Sequence, residues 1–210
     1  MTGARWRDAA TGDGMTPPAI VVEEGAIRVR RMLSDDSELA LMARWLNEPH
    51  VREWWDPDGP AATVELVRRD YAPNTNPSSA GVSCFIEVAG RPVGFVQFYP
   101  WAAEREYCRK VGITVEQTAW GFDVFIGDPA AVGTGVATRV LELLCAHLVD
   151  DRGASAVVIV SEVTNVRAHH VYEKIGFRKV LDFLDDDTRG GARVRSYVMR
   201  KERDASRVRR

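Results

Sequence analysis

The sequence of 210 residues predicts a mixed α/β domain, because segments with strand periodicity alternate with segments that have the periodicity of amphipathic helices. Residues 155–163, SAVVIVSEV, form a short apolar run that is typical of a buried strand. Residues 133–151 instead carry apolar side chains at helical spacing. The whole order of predicted elements is β-α-α-β-β-β-α-β-α-β-β, which favours a sheet layered against helices.

The first half of the chain predicts three strands and two helices. Residues 26–33 alternate in polarity like a strand, and an amphipathic helix capped by Ser34 follows and ends near Pro49. Residues 63–72 predict a second helix. Two apolar runs around a Gly-Arg-Pro turn predict a hairpin over residues 82–100.

The second half begins with a polar segment, residues 101–118, in which no periodicity predicts a helix or a strand. The elements predicted after it are, in order, a strand over 119–127, the helix 133–151, the buried strand 155–163, a helix within 165–177 and a hairpin of 179–186 with 192–201. Residues 1–25 and 202–210 show no clean periodicity, so we expect flexible tails around a single domain of residues 26–201.

Composition and charge exclude several classes of protein. The formal net charge of −2 gives no basic field for nucleic acid. No apolar run reaches the length of about 18 residues that a membrane span needs, and no signal peptide is evident. The three cysteines are scattered, which fits a reducing compartment, and we expect a cytoplasmic protein. The four histidines show no ligand spacing, so we expect no metal.

The most informative stretch is FIGDPAAVGTGVATRVLELL, where a strand ends and a glycine-rich turn opens a long helix. Free N–H groups and the positive end of a helix make such a turn an anion site. Five residues separate Gly127 from Gly133 and no lysine follows, so the spacing excludes a nucleotide P-loop. Thr138 stands where a dinucleotide fingerprint needs a third glycine. A tight turn that binds nothing remains the alternative.

Two motifs in this half of the chain resemble those of the GNAT superfamily of N-acetyltransferases. The segment VGTGVA, residues 132–137, is similar to the loop that holds the pyrophosphate of acetyl-CoA, although Val132 replaces the usual Gln or Arg. About 30 residues later, NVRAHHVYEKIGF matches the family's Asn-x-x-Ala helix and its Tyr-x-x-x-Gly-Phe end. The resemblance covers residues 26–200 and implies a mostly antiparallel twisted sheet flanked by helices, with acetyl-CoA in a V-shaped opening between the fourth and fifth predicted strands.

The same resemblance implies which residues bind acetyl-CoA, the expected co-substrate. The residues expected to contact it are Phe125, Ile126, Val132, Gly133, Thr134, Gly135, Val136, Ala137, Thr138, Asn165, Ala168, Tyr172 and Lys174. Among them, Phe125 and Ile126 would pair their backbone with the pantetheine arm. Gly176 would end the helix at the position after its C-cap.

Asp123 and Tyr172 are the expected catalytic residues. Asp123 interrupts the apolar strand 119–127, so its carboxylate is either buried with a partner or faces a cleft. An ordinary aspartate is a weak base, and we expect Asp123 to hold the acceptor ammonium and steer its deprotonation. The resemblance makes Tyr172 the acid that protonates the leaving thiolate. The alternatives are a structural aspartate and an aromatic core residue.

The acceptor cleft resembles that of aminoglycoside 6'-N-acetyltransferases in the segments EWW, GFVQFY and GFDVFIG. This likeness implies a substrate site made of Trp54, Trp55, Gln97, Tyr99, Glu116, Asp123 and Glu162. Further acidic candidates are Glu104, Glu106 and the cluster in DFLDDD, residues 182–187. The overlapping segment DDDTRGG, residues 185–191, is also typical of a solvated hairpin turn. Some of these relatives carry Asp-Pro where this chain has Glu162 nearby, which leaves the drug spectrum open.

The expected function is therefore transfer of acetyl to the 6'-amino group of an aminoglycoside, a small polyamine. The alternatives are a siderophore-pathway hydroxylysine acyltransferase, which the NEPHVREWW segment also resembles, a protein N-terminal acetyltransferase and a non-catalytic acetyl-CoA-binding module. A monomer and a homodimer are both compatible with the sequence.

Overall fold

The computed structural model describes residues 19–114 and 116–203, apart from the side chain of Asp187. Contacts divide the chain into two compact units. The first unit comprises the residues through Gln97 and the segment Val124–Val136, and the second comprises Phe98–Asp123 and the residues from Ala137 onward. The predicted domain therefore contains two units, each with its own helices and strands.

The first unit consists of strands in the order β1-β2-β3-β4 and three helices. Its elements are β1 (Ile20–Glu24), β2 (Ile27–Arg31), α1 (Asp36–Leu46), α2 (Pro49–Trp55), α3 (Val64–Tyr71), β3 (Val82–Val88) and β4 (Arg91–Pro100) through Gln97. Strands β1, β2 and β3 pair antiparallel. The core of the unit is aromatic, with Trp45, Phe85 and Phe95 almost fully buried.

The second unit has strands in the order β5-β6-β8-β7. Its elements are α4 (Arg105–Val111), β5 (Trp120–Ile126) through Asp123, α5 (Val136–Asp150) from Ala137, β6 (Ala156–Glu162), α6 (Val166–Lys174), β7 (Arg178–Arg189) and β8 (Ala192–Glu202). Strand β8 pairs antiparallel with both β6 and β7. The predicted mixed α/β class with a mostly antiparallel sheet is thus confirmed.

The ladder between β5 and β6 is parallel and short. The pairs described are Trp120 with Val157 and Gly121 with Val158, both at the start of the two strands. Strand β6 continues to Glu162 and pairs with β8 along its whole length. Because β1 was not predicted, β5 and β6 are the fourth and fifth predicted strands. A ladder confined to their first residues is what an opening between them requires.

The N-terminal tail was predicted too long. Residues 20–24 form β1, which pairs with β2 across a tight turn at Gly25, whose φ is +58°. The alternation of Ile20 and Val22 is short, and it becomes a strand only because β2 supplies the hydrogen-bonding partner. Residues 1–18 and 204–210, on which the rest of the tail predictions fall, lie outside the described residues. The second tail begins no earlier than residue 203, since β8 includes Glu202.

The first predicted helix differs from the structure at both ends. Its N-cap is Asp35 and not Ser34, because the Asp35 carboxylate accepts hydrogen bonds from the backbone N–H groups of Ser37 and Glu38, both at 3.0 Å. The helix ends at Leu46, and a separate helix, α2, then begins at Pro49. A proline cannot continue a helix but suits its first turn. Helix α2 carries both Trp54 and Trp55.

The prediction that residues 101–118 are irregular is wrong for the first two-thirds of that segment. A 3₁₀ turn spans Trp101–Glu104 and α4 follows, ending at Gly112 with a φ of +78°. This helix is short and polar, so its stability comes from tertiary contacts and not from its own periodicity. Within the described residues, no helix is both long and apolar enough to cross a bilayer.

Candidate active site

Asp123 lies on β5 and is only 6% exposed. The Tyr99 hydroxyl, on the end of β4, donates a long hydrogen bond of 3.5 Å to its Oδ1 atom. Gly121 allows this approach, since a Cβ there would lie 2.7 Å from Tyr99 Cε2. Burial and the neighbouring charge of Asp123 together raise the pKa of Tyr99 well above its usual value. Asp123 therefore has Tyr99 as a polar partner.

Tyr172 lies on α6 in the same unit and is 6% exposed. Its ring packs edge-on against Phe122, with centroids 6.1 Å apart, and lies tilted against Phe177, with centroids 6.0 Å apart. Burial and then Asp123 raise its pKa, so the phenol keeps its proton at neutral pH. A protonated phenol is the form that can donate to a leaving thiolate.

Helix α6 is set in place by the motif residues themselves. The Asn165 side chain is the N-cap and accepts a hydrogen bond of 3.2 Å from the backbone N–H of Ala168. At the other end, Gly176 has a φ of +97°, and the Phe177 N–H donates to the Tyr172 carbonyl at 2.9 Å. This confirms the predicted glycine end. The motif therefore positions Tyr172 as well as marking the helix, while Lys174 is exposed.

Glu104 is a second carboxylate in this unit, at the end of the 3₁₀ turn that follows Tyr99. Burial, followed by the charge of Asp123, raises the pKa of Glu104 to about 7. Burial and then Glu104 raise the pKa of the Cys108 thiol, and Glu104 adds to the effects of burial and Asp123 on Tyr99. A group with such a pKa can hold or release a proton near neutral pH.

Tyr107 and Asp185 form a buried pair between α4 and β7. The Tyr107 hydroxyl donates to both carboxylate oxygens of Asp185, at 3.0 and 3.1 Å, and Asp185 is 1% exposed. The solvated-turn interpretation of residues 185–191 is therefore wrong for Asp185, although that segment does contain the turn. Strand β7 runs through the acidic cluster, and the turn lies beyond it at Gly190 and Gly191. The side chain of Asp187 lies outside the described residues.

The glycine turn of residues 132–135 belongs to the first unit and leads into α5. Gly133 and Gly135 have φ angles of +82° and +89°, which favour glycine. A Cβ at Gly135 would meet no heavy atom within 4 Å, so the conformation, and not crowding, requires the glycine. Thr134 and Gly135 are exposed, and the first N–H groups of α5 have no partner within the helix.

Trp54 and Trp55, two of the predicted substrate residues, lie in the first unit. The Trp55 ring packs edge-on against Phe125, with centroids 4.9 Å apart, and its Nε1–H donates to the Tyr71 hydroxyl at 2.7 Å. Trp54 and Trp55 are both half-buried. Phe125 stacks on Phe95 at 5.5 Å, so the backbone of β5 is held at this point by aromatic packing.

Glu116 and Glu162, two other predicted substrate residues, already have arginine partners and are therefore less suited to bind a cation. Glu116 pairs with Arg200 at 2.8 Å, and Glu162 pairs with Arg189 at 3.0 Å. An arginine partner offsets the charge of each carboxylate. Gln97 is half-buried on β4. Glu104 instead has an acidic neighbour, because the charge of Asp123 adds to burial in raising the pKa of Glu104.

The histidines form no site. His169 is 4% exposed and packs against Tyr197, and burial followed by Lys179 lowers its pKa. His170 is exposed, which confirms that at least one of the two faces solvent. Among residues 19–114 and 116–203, no group of three His, Cys, Asp or Glu side chains could hold a metal ion. His50 Nε2 lies 2.9 Å from the Ile126 carbonyl oxygen, a contact that the sequence did not predict.

The cleft described in the first unit is not formed by the predicted site residues. It has a volume of about 500 Å³ and includes none of the predicted site residues. Its lining residues are Leu41, Arg44, Trp45, Glu48, Arg91, Pro92, Gly127, Asp128 and Pro129. Arg91 and Asp128 already pair with each other at 2.8 Å.

A family model described as an acetyltransferase (GNAT) domain matches residues 34–183, more than two-thirds of the chain. The chain belongs to the GNAT acetyltransferase family. The matched range includes Asp123, the glycine turn of residues 132–135 and Tyr172. The resemblance that the two motifs indicated is thereby confirmed, and the protein is an N-acetyltransferase.

Among curated proteins, this GNAT chain is similar to aminoglycoside N(6')-acetyltransferase type 1 from Klebsiella pneumoniae. The two are 25% identical over 169 residues, which cover 79% of this chain and 81% of the relative. A solved structure of the aminoglycoside acetyltransferase AAC(6')-Ib with ribostamycin and coenzyme A has a TM-score of 0.74 at 22% identity, covering 89% of this chain and 98% of that one.

A Vibrio cholerae spermidine N-acetyltransferase with coenzyme A and spermine has a TM-score of 0.67 at 15% identity, covering 84% and 95%. The two solved structures show a shared fold. Proteins with this fold are therefore named for different amines, aminoglycosides in one case and spermidine in the other.

Proposed function

We propose that this N-acetyltransferase transfers the acetyl group of acetyl-CoA to the 6'-amino group of aminoglycosides. The observation that carries the proposal is the acidic cluster of the second unit, where burial and then the charge of Asp123 raise the pKa values of Glu104, Tyr99 and Tyr172. An ammonium group is the complement of such a cluster. The 25% identity to an aminoglycoside 6'-acetyltransferase supports the same acceptor.

Acetyl-CoA is the proposed co-substrate, and solved relatives are complexes with coenzyme A. The glycine turn at Gly133–Gly135, whose residues are exposed, and the first turn of α5 would bind its pyrophosphate through backbone N–H groups. The backbone of Phe125 and Ile126 would pair with the pantetheine arm. Since the Ile126 carbonyl already faces His50 at 2.9 Å, the arm would have to share that oxygen with the imidazole.

Asp123 would hold the reacting ammonium and Tyr172 would protonate the sulfur. An alkyl ammonium has a pKa of about 10, so only about one molecule in a thousand is neutral at pH 7. The site must therefore remove a proton before the amine can attack the thioester carbonyl. When the carbon–sulfur bond breaks, the Tyr172 phenol is buried and protonated, as the role of acid requires.

Aromatic side chains would pack against the sugar rings of the drug. Trp54, Trp55 and Gln97 are the proposed contacts in the first unit, and Tyr99 in the second. Glu116 and Glu162 would serve further ammonium groups only by exchanging Arg200 and Arg189 for the ligand. The second-best acceptor is therefore a smaller amine that needs the Asp123 cluster alone, such as hydroxylysine or spermidine.

Release of free thiol from acetyl-CoA tests the proposal directly. The acceptors are kanamycin, tobramycin, hydroxylysine, spermidine and a peptide with a free N-terminus. We expect turnover with the two drugs and a product acetylated at the 6'-nitrogen, identified by NMR. Turnover confined to hydroxylysine, spermidine or the peptide would refute the aminoglycoside assignment. Tight binding of acetyl-CoA without any turnover would instead indicate a non-catalytic module.

A further inference from the structure

The end of β5, in the first unit, presents a backbone carbonyl that β4 cannot use. The N–H groups of Gly127 and Asp128 both donate to the Val93 carbonyl on β4, at 2.9 and 3.0 Å, which is the bonding pattern of a β-bulge. The peptide between Ile126 and Gly127 is trans. In a trans peptide, the carbonyl and the N–H that follows it point in opposite directions. Because the Gly127 N–H faces β4, the Ile126 carbonyl must point away from that strand.

His50 on α2 supplies a partner for this carbonyl. Its Nε2 atom lies 2.9 Å from the Ile126 oxygen, and its side chain is half-buried. A carbonyl oxygen can only accept a hydrogen bond, so Nε2 must carry a proton and donate it. The same oxygen has two lone pairs, so one remains for a second donor. The imidazole therefore fixes the direction of the carbonyl and leaves it able to bind another N–H group.

Aromatic packing fixes the two elements that carry this contact. The Trp55 ring, at the other end of α2 from His50, packs edge-on against Phe125 with centroids 4.9 Å apart. A Cβ on Gly127 would lie 2.2 Å from Trp45 Cγ, so α1 packs directly against the residue that follows β5. The helix and the strand end are thus held together by ring contacts, and the hydrogen bond from the imidazole sets the direction of one backbone group between them.

We propose that His50 is a positioning residue for the co-substrate, whose Nε2–H fixes the Ile126 carbonyl so that its second lone pair accepts an amide N–H of the pantetheine arm. This inference rests on the proposed function, in which the arm pairs with the backbone of Phe125 and Ile126. The pantetheine arm contains amide groups, so it has donors of the required kind. A carbonyl that is fixed before binding loses less conformational freedom when the arm docks, which favours binding.

Imidazole ¹⁵N NMR of the free enzyme tests the contact without any ligand. At about pH 8.5 a histidine is normally neutral, so the ring carries its proton on one nitrogen only. Comparison of wild type with His50→Gln identifies the His50 resonances, which should be those of the Nε2–H form. The Nδ1–H form at His50 would overturn the inference, because that ring could not donate to the Ile126 carbonyl from Nε2.

Calorimetric titration with CoA measures the effect on binding. His50→Phe keeps an aromatic ring but has no donor, and CoA should bind it about 3- to 10-fold more weakly, as expected for one lost hydrogen bond. His50→Gln has an amide that can donate, so its affinity should stay within about twofold of wild type. His170→Phe replaces an exposed histidine outside the proposed site and should bind CoA like wild type. Unchanged affinity in His50→Phe, or equal losses in His50→Phe and His50→Gln, would overturn the inference.

A fragment of the co-substrate separates positioning of the arm from a general structural role. Adenosine 3'-phosphate 5'-diphosphate carries the adenine and the pyrophosphate of CoA but has no pantetheine arm. His50→Phe should bind this fragment as tightly as wild type does, because the fragment lacks the group that pairs with Ile126. Equal losses of affinity for the fragment and for CoA would show that His50 only supports the fold, and would overturn the inference.

The two proposals fail in different ways, because the binding measurements need no acceptor. Wild-type enzyme that binds CoA but acetylates no aminoglycoside refutes the proposed acceptor, and the comparisons for His50 are unaffected. Turnover of aminoglycosides together with wild-type affinity for CoA in His50→Phe refutes the role of His50 alone.

Discussion

The Tyr107 hydroxyl donates to both carboxylate oxygens of Asp185, at 3.0 and 3.1 Å, in a site where Asp185 is 1% exposed. The backbone N–H of Asp186 donates a third hydrogen bond to the same carboxylate, at 2.7 Å. This pair joins α4, the short polar helix, to strand β7. Glu104 immediately precedes α4, so the pair also determines where the turn that carries Glu104 can lie.

Replacement of Tyr107 by Phe should lower the free energy of unfolding by about 1–3 kcal/mol, because it leaves a buried carboxylate short of a donor. Urea unfolding at pH 7 measures the effect, and the slope with denaturant should not change. Lys110→Gln is the control, because the exposed Lys110–Asp186 ion pair joins the same two elements and is worth at most about 1 kcal/mol. Equal losses in the two variants would contradict the role given to the buried pair.

Asp123→Asn should lower kcat by about 10- to 1,000-fold, since the reacting ammonium loses the charge that holds it. The amide oxygen can still accept the Tyr99 hydrogen bond, so the fold should be kept. Steady-state kinetics with acetyl-CoA and kanamycin give the measurement, and the KM for acetyl-CoA serves as the internal control. A kcat equal to that of wild type would remove Asp123 from the mechanism.

Tyr172→Phe should lower kcat by about 100-fold, because it removes the proposed acid and keeps the ring. The phenyl group retains its contacts with Phe122 and Phe177, so the melting temperature should change little. Tyr197→Phe is the matched control, since Tyr197 lies on β8 beside His169. A parallel loss of kcat in both variants would indicate a structural effect and not loss of an acid.

The stability of the protein should depend on the charge of Glu104. Its pKa in the folded state is raised to about 7, above the ordinary value of 4.5, so folding favours the protonated form. The contribution is fully present below pH 4.5 and is lost as the pH rises through 7. Glu104→Gln should therefore stabilise the protein at pH 8.5 and have little effect at pH 4.5. Melting temperatures of wild type, Glu104→Gln and the control Glu142→Gln, which removes a partly exposed carboxylate from α5, test the sign across this range.

The pattern of apolar and polar residues along the chain was enough to predict most of the helices and strands. The apolar run that forms β6 and the stripe of Val140, Leu144 and Leu148 on α5 are both buried as expected. Their periodicity is a property of neighbouring residues, so no tertiary information is needed to see it. Strand β1 and helix α4 were missed because each is short and exists only through a partner, β2 in one case and the Tyr107–Asp185 contact in the other.

The residues of the candidate site were likewise predicted only in part. Asp123 was visible as a carboxylate in an apolar strand, and Asn165, Tyr172 and Gly176 as a spaced motif. Glu104 was only one of several acidic residues in a polar segment, and no spacing set it apart from Glu106 or Glu116. Its pKa depends on burial and on Asp123, which lies 19 positions away along the chain.

The sequence by itself determined the family, the two motifs and the order of most elements, because these are written in residue type and spacing along the chain. Only the tertiary structure decided which neighbours each carboxylate has. Arg200 and Arg189 pair with Glu116 and Glu162, while the charge of Asp123 adds to burial in raising the pKa of Glu104. The reason is physical: the protonation and charge of a side chain depend on burial and on neighbours in space, and a linear sequence lists neither.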